Sequence, residues 1–242
     1  MRAILFKEIN EFFSSLVACI AIGVFLVTTG LFLWIFPNSS ILDYGYASLD
    51  SLFAIVPFTF MFLIPAITMR AIAQEKREGT FELLTTRPMS DWELVLGKYL
   101  ACLLIVLLAL APTLVYYFSV YWLGVIKGNL DTGAIIGSYI GLFLLGGVFT
   151  AIGIFASSIS KNQITAFIIA VFFCFFAFSG LDAISGLPSL QHAAAYLTTL
   201  SINEHYQSIS RGVLDTRDLL YFLSGIALFL VITKTIIGSR KW

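Results

Sequence analysis

The sequence predicts an all-α, polytopic membrane protein: six transmembrane helices preceded by an interfacial helix, forming a single membrane domain over residues 1–242. Three observations carry that prediction. Of the 242 residues, 59% are hydrophobic and 12% charged, with a mean hydropathy of +0.95. Globular domains run at roughly 45–50% apolar and about 25% charged. Six charge-free apolar stretches come close to the ~20 residues that carry a helix across a hydrocarbon core of about 30 Å. Finally, Lys and Arg fall unevenly on the two sides that six spans define. A soluble enzyme and a disordered chain are excluded by this composition, and a net charge of zero leaves no basic bias toward nucleic acid.

The elements follow in order. In residues 1–13, Leu5, Ile9, Phe12 and then Leu16 keep helical spacing, with Arg2, Lys7, Glu8 and Glu11 beside them. That pattern predicts an amphipathic helix lying on the membrane. The first span, about 14–36, is too long for the apolar core of a signal peptide. The second, about 52–69, holds Pro57 and Pro65, and the third, about 99–123, holds Pro112. Proline inside a span predicts a kink whose freed carbonyls are satisfied by neighbours. The fourth, about 134–157, is rich in glycine, and Gly137 with Gly141 reads as a helix-packing surface. The fifth, about 164–181, carries Phe172, Phe173, Phe175, Phe176 and Phe178, read as packing against lipid. The sixth covers about 219–233. Cys19, Cys102 and Cys174 all lie in apolar runs and read as small buried hydrophobes.

Orientation comes from counting. Eleven of the fourteen Lys and Arg residues lie on the side that holds both termini; Lys127, Arg211 and Arg217 lie on the other. The positive-inside rule puts both termini in the cytoplasm. No span carries Asp, Glu, Lys, Arg or His in its central part, and ion-coupled carriers need such groups at membrane depth. The chain has no nucleotide-binding loop: Gly128 to Gly133 has the glycine spacing of a phosphate loop but lacks the Lys-Ser/Thr that completes it. No catalytic, cofactor or metal site is predicted. His192 and His205 are thirteen residues apart with no cysteine nearby.

The informative segment is the loop over 74–92. Gly79-Thr80 breaks the charged extension of the second span. Thr80 can cap a short helix that carries Phe81, Leu83 and Leu84, with Glu82 in its favourable first turn. Pro88 ends that helix, and Ser90-x-x-Glu93 is a capping box that starts the next. Three stops around Phe81-Glu82-Leu83-Leu84 predict a short amphipathic helix held across one face of the membrane.

The run Glu75-x-x-Glu78-Gly79-Thr80-x-Glu82-Leu83-Leu84-x-Thr86-x-Pro88-x-Ser90, then Leu96-Gly97-Lys98, resembles the signature loop of ABC-2-type transporter permeases. The segment Arg211-Gly212-Val213-Leu214-Asp215-x-Arg217-Asp218, with Ser239-Arg240-Lys241-Trp242 at the end, is similar to permeases of the Bacteroidetes gliding-motility ABC transporter. The permeases of nitrous-oxide reductase maturation systems belong to the same branch. The resemblance implies an ABC-2, type V exporter-like permease fold in the bacterial cytoplasmic (inner) membrane. It further implies a separate ATPase subunit that binds ATP, so that this chain carries no cofactor and no catalytic residue. Glu75, Glu78, Gly79, Thr80, Phe81, Glu82, Leu83, Leu84, Thr86 and Pro88 would form the coupling interface with that subunit. A second permease subunit is implied too, as a homodimer or a heterodimer. A non-transporting scaffold that recruits a cytoplasmic partner through the same loop, or a permease of a related nitrous-oxide reductase maturation system, is the alternative.

The outer loop, 182–218, is long for a connection between neighbouring spans. Leu190, Ala194, Leu197 and Ser201 share helical spacing, and Asp215 and Asp218 stand where an N-cap and a first-turn acid would open the last span, with Arg217 placed to pair with either. In the family such short helices cap the outer end of the translocation path; a surface helix facing lipid is the plainer reading.

Overall fold

A computed structural model describes residues 2–37, 39–43, 48–81, 90–124, 130–186, 196–213 and 215–239. Among the described residues the regular structure is helical. The chain opens with α1 (Arg2–Phe13), breaks at Ser14 and Ser15, and enters α2 (Leu16–Trp34). Next come α3 (Asp50–Thr68) and the short α4 (Ala73–Glu78). After the loop, α5 (Asp91–Leu110) passes through a 3-10 turn (Ala111–Thr113) into α6 (Leu114–Leu123). Pro112 sits in that turn, where its missing N–H is tolerated. Then follow α7 (Thr132–Ile159) and α8 (Gln163–Phe175). A π-helical stretch (Phe176–Gly180) joins α8 to α9 (Leu181–Ser185). The last two helices are α10 (Ile202–Ser210) and α11 (Thr216–Gly238).

Among the described residues, five helical stretches are long and apolar enough to cross a membrane, and the apolar part of α2, Cys19–Trp34, is a shorter sixth. The helices extend past the charge-free segments read from hydropathy. The helix of the third span opens at Asp91, behind the Ser90–Glu93 capping box, ahead of the charge-free stretch from about 99, and that of the sixth runs from Thr216 to Gly238, past the charge-free 219–233. Hydropathy stops at the first charge, whereas a capped helix continues through it.

The centre of the bundle is α7, with 78% of its most apolar stretch buried against 22% for α11 and for the α8–α9 stretch. It packs on α11, α3, α8, α10 and α5. Small residues make this possible. A Cβ on Gly153 would stand 2.0 Å from Thr68 Oγ1, so α3 approaches there over a bare backbone. At the other end, Cβ atoms on Gly137 and Gly141 would stand 3.1 Å from Gly212 Cα and 3.0 Å from Ile209 Cγ2. The element packed on that pair is α10, from the segment between the fifth and sixth spans of the same chain.

Outward faces are apolar. Phe172, Phe175 and Phe176 are exposed, but Phe178 is buried against Phe58, Phe149 and Tyr206, so the phenylalanine-rich span serves both surfaces. Cys102 and Cys174 are buried, whereas Cys19 faces outward. An apolar run does not by itself imply burial in a span, because lipid solvates the outward side equally well.

Candidate functional site

Two regions at opposite ends of the bundle carry the polar chemistry. The first, on the face that holds α1, is the root of the 74–92 loop. Here α3 ends at Thr68 and a turn leads into α4 at Ala73. That break frees backbone groups, and Ser157 at the end of α7 takes them up. Its Oγ accepts from Ile72 N and Ala73 N, both at 3.0 Å, and donates to Met69 O at 3.1 Å. Lys76 Nζ donates to the Ser158 carbonyl. α4 stops at Gly79, whose φ of 72° and ψ of 4° are left-handed, a conformation that glycine adopts without a Cβ penalty. On the far side of the loop, the Ser90–Glu93 capping box opens α5: Ser90 Oγ accepts from Glu93 N at 3.2 Å, and Ser90 N donates to Glu93 Oε2 at 3.1 Å.

At the loop root lies a buried ion cluster. Lys98 Nζ stands 2.7 Å from Glu8 Oε1 and 2.9 Å from Glu75 Oε2, and donates also to the Ala71 carbonyl. Lys98 is 1% exposed. Lys7 Nζ reaches the other oxygen of Glu75 at 2.9 Å and lies 3.7 Å from Glu11. Arg70 donates to Ser15 Oγ nearby. α1, α4 and α5 are therefore held together by one ammonium with two carboxylates. Burial pushes the Glu8 carboxyl above its usual range, against the pull of Lys98. Burial lowers the Lys7 ammonium, but the Glu75 hydrogen bond and the charges of Glu75, Glu8 and Glu11 outweigh it, so the net shift is upward.

The loop residues named from sequence separate in space. Glu75 points inward into the cluster and Phe81 is buried under Lys76, whose Nζ lies 5.6 Å from its ring centroid. Glu78, Gly79 and Thr80 are exposed, with Gln74 Nε2 donating to Glu78 Oε1 at 2.9 Å. Glu82, Leu83, Leu84, Thr86 and Pro88 lie outside the described residues. Glu8 stands among the charges beside the apolar stripe of residues 1–13, and no local pattern marks it or Lys98 as inward.

The second region is a cavity of about 800 Å³ at the opposite end. Phe53, Pro57, Phe58, Phe178 and Tyr206 give it an aromatic and apolar lining, while Asp50, Asp131, Asn203, Gln207 and Arg211 contribute polar groups. α10 closes one wall. Its inward positions are Ile202, Tyr206 and Ile209; of the Leu190, Ala194, Leu197 and Ser201 stripe expected just before it, Leu197 is half-buried and Ser201 buried. Leu190 and Ala194 lie outside the described residues, and so does His192.

α10 is tied to α7, α9 and α11. Ser138 Oγ donates to Ser210 O at 2.9 Å and Asn203 Nδ2 to Asp182 Oδ2 at 2.8 Å. His205 places Nδ1 2.7 Å from Asp218 Oδ1 and Nε2 2.9 Å from Thr199 O, and its ring stacks on Tyr221 at 3.9 Å. Asp218 thus goes to His205, while Arg217 gives its backbone N–H to the N-cap Asp215 at 3.0 Å. That hydrogen bond, first among several, holds the Asp215 carboxyl below the usual range. No group of three or more metal-ligating side chains occurs among the described residues.

Apolar spans around a glycine-lined central helix, with a clasped loop root at one end and a cavity at the other, define a multi-pass α-helical membrane protein. Residues 37–233 match the family model described as "ABC-2 family transporter protein". The chain belongs to the ABC-2 transporter family, and it is a membrane-spanning permease component of an ABC transporter. No curated protein matches it.

Proposed function

We propose that this chain is the permease subunit of an ATP-driven exporter-type ABC complex, coupled to a separate ATPase subunit through the segment that follows α4. The observation that supports it best is the clasp at the loop root, where Lys98 holds Glu75 and Glu8 together and Ser157 brackets the break before α4. A loop anchored in this way moves as one body with α1, α5 and the end of α7. A push on it is then transmitted into the bundle instead of being absorbed by a slack connection. In this reading the ATPase binds the nucleotide, this chain holds no cofactor, and the complex contains a second permease subunit. The face with eleven of fourteen basic residues is cytoplasmic, and the membrane is the bacterial inner membrane. The similarity of Arg211–Asp218 and of the C-terminal Ser239–Trp242 to gliding-motility permeases supports that branch for the biological role.

Leu84→Ala and Glu82→Arg test the coupling. Leu84 would be an apolar anchor and Glu82 part of a charged rim, so truncation should speed dissociation of the ATPase while charge reversal should also make binding salt-sensitive. Both variants should insert and fold normally. ATPase activity and partner retention are measured beside wild type; full binding and full coupling in both would reduce the loop to a topological connector.

A further inference from the structure

Proline has no amide hydrogen, so Pro57 leaves the Phe53 carbonyl without its i+4 partner inside α3. Phe53 is 5% exposed and Pro57 is buried, which denies that oxygen to bulk water. A buried carbonyl needs a donor. The donor is Tyr206 of α10, whose hydroxyl reaches Phe53 O at 2.7 Å from a ring that is 4% exposed.

The two ends of this hydrogen bond differ mechanically. α10 sits on a rigid base: Ile209 presses on Gly141, Ser138 holds the Ser210 carbonyl, and His205 is paired with Asp218 of α11. Phe53 belongs instead to the turn where α3 has lost a rung of its ladder, and a proline-interrupted turn is where a helix bends most readily. Phe53, Pro57 and Tyr206 also line the same cavity.

We propose that Pro57 is a hinge in α3 and that Tyr206 is the clamp that keeps it closed. While the hydroxyl holds Phe53 O, the Asp50–Val56 end of α3 stays against α10 and the cavity keeps its present shape. On release, that end swings about Pro57 and the mouth of the cavity widens. α3 runs on through the turn at 69–72 into α4, so the hinge lies on the helix that joins the cavity to the loop root. Its use as a transport gate rests on the permease reading; the clamp does not.

The test separates the two because it uses the full-length chain alone, without an ATPase. Tyr206→Phe removes only the hydroxyl. Pro57→Ala returns an N–H to the Phe53 carbonyl and makes the hydroxyl redundant. Amides of residues 54–56 and 58–61 should exchange hydrogen roughly 5- to 100-fold faster in Tyr206→Phe than in wild type, the range that corresponds to loss of one buried partner. Amides of α11 should be unchanged. Spin labels at Ser48→Cys and Ser179→Cys, in a Cys19→Ala background, should show a broader and longer distance distribution across the cavity mouth. Adding Pro57→Ala should restore both measurements. The proposal requires both effects and both rescues. An unchanged exchange rate or distance, or the same change with and without Pro57→Ala, overturns it.

Discussion

Lys98 Nζ lies 2.9 Å from Glu75 Oε2, with 1% and 8% of the two side chains exposed. One residue belongs to the start of the third span and the other to the helix that enters the 74–92 loop. The two ends of that loop are therefore locked together whatever the loop does between them. Glu8, at 2.7 Å from the same nitrogen, adds α1 to the junction.

Lys98→Met should be strongly destabilising. It leaves the Glu8 and Glu75 carboxylates buried and facing one another, and breaking a buried pair in this way costs about 3–5 kcal/mol. Lys98→Arg should retain most of the stability. Thermal unfolding in detergent measures both; a wild-type midpoint for Lys98→Met would mean that the cluster is hydrated and energetically idle.

The pH dependence of that cluster has a definite sign. Burial raises the Glu8 carboxyl above its usual range, so just above the ordinary carboxylate pKa the folded chain still binds a proton that the unfolded chain has lost. Stability from this group is therefore present at low pH and declines as pH rises from the ordinary to the raised value. Glu8→Gln should flatten that part of the stability curve without altering its slope at higher pH. Unfolding midpoints across the interval check it, and an unchanged slope would contradict the assignment to Glu8.

Gly141→Leu should unseat α10. Even a Cβ would stand 3.0 Å from Ile209 Cγ2 and 3.6 Å from Tyr206 Cε2, and overpacking of this kind costs about 1–3 kcal/mol. Gly137→Leu meets backbone at Gly212, which can yield less than a side chain, so it should be the worse of the two. Both should lower the unfolding temperature and the yield of assembled complex. Unchanged values for both would show that α10 tolerates displacement.

The sidedness is checked by labelling. Cysteine reporters at Lys161 should react only from the cytoplasm and reporters at Asp131 only from outside, because the basic residues divide eleven to three between the two faces. External labelling at Lys161 would reverse the orientation.

What the sequence determined by itself was everything that depends on neighbours along the chain. Apolar run length marked the spans, Gly79 marked the left-handed stop of α4, and Ser90 with Glu93 marked the start of α5, because hydropathy, positive φ and capping are settled within a few residues. Pro57 announced an orphan carbonyl in the same local way. Which group would satisfy it was decided only in three dimensions, by a tyrosine 153 residues away. The same holds for the inward turn of Glu8, which reads as a surface acid on an amphipathic helix until Lys98, 90 residues later, is placed beneath it. A buried polar group is stable only if its partner arrives, and the arrival is a property of how α1, α5, α7 and α10 pack, which no stretch of sequence specifies alone.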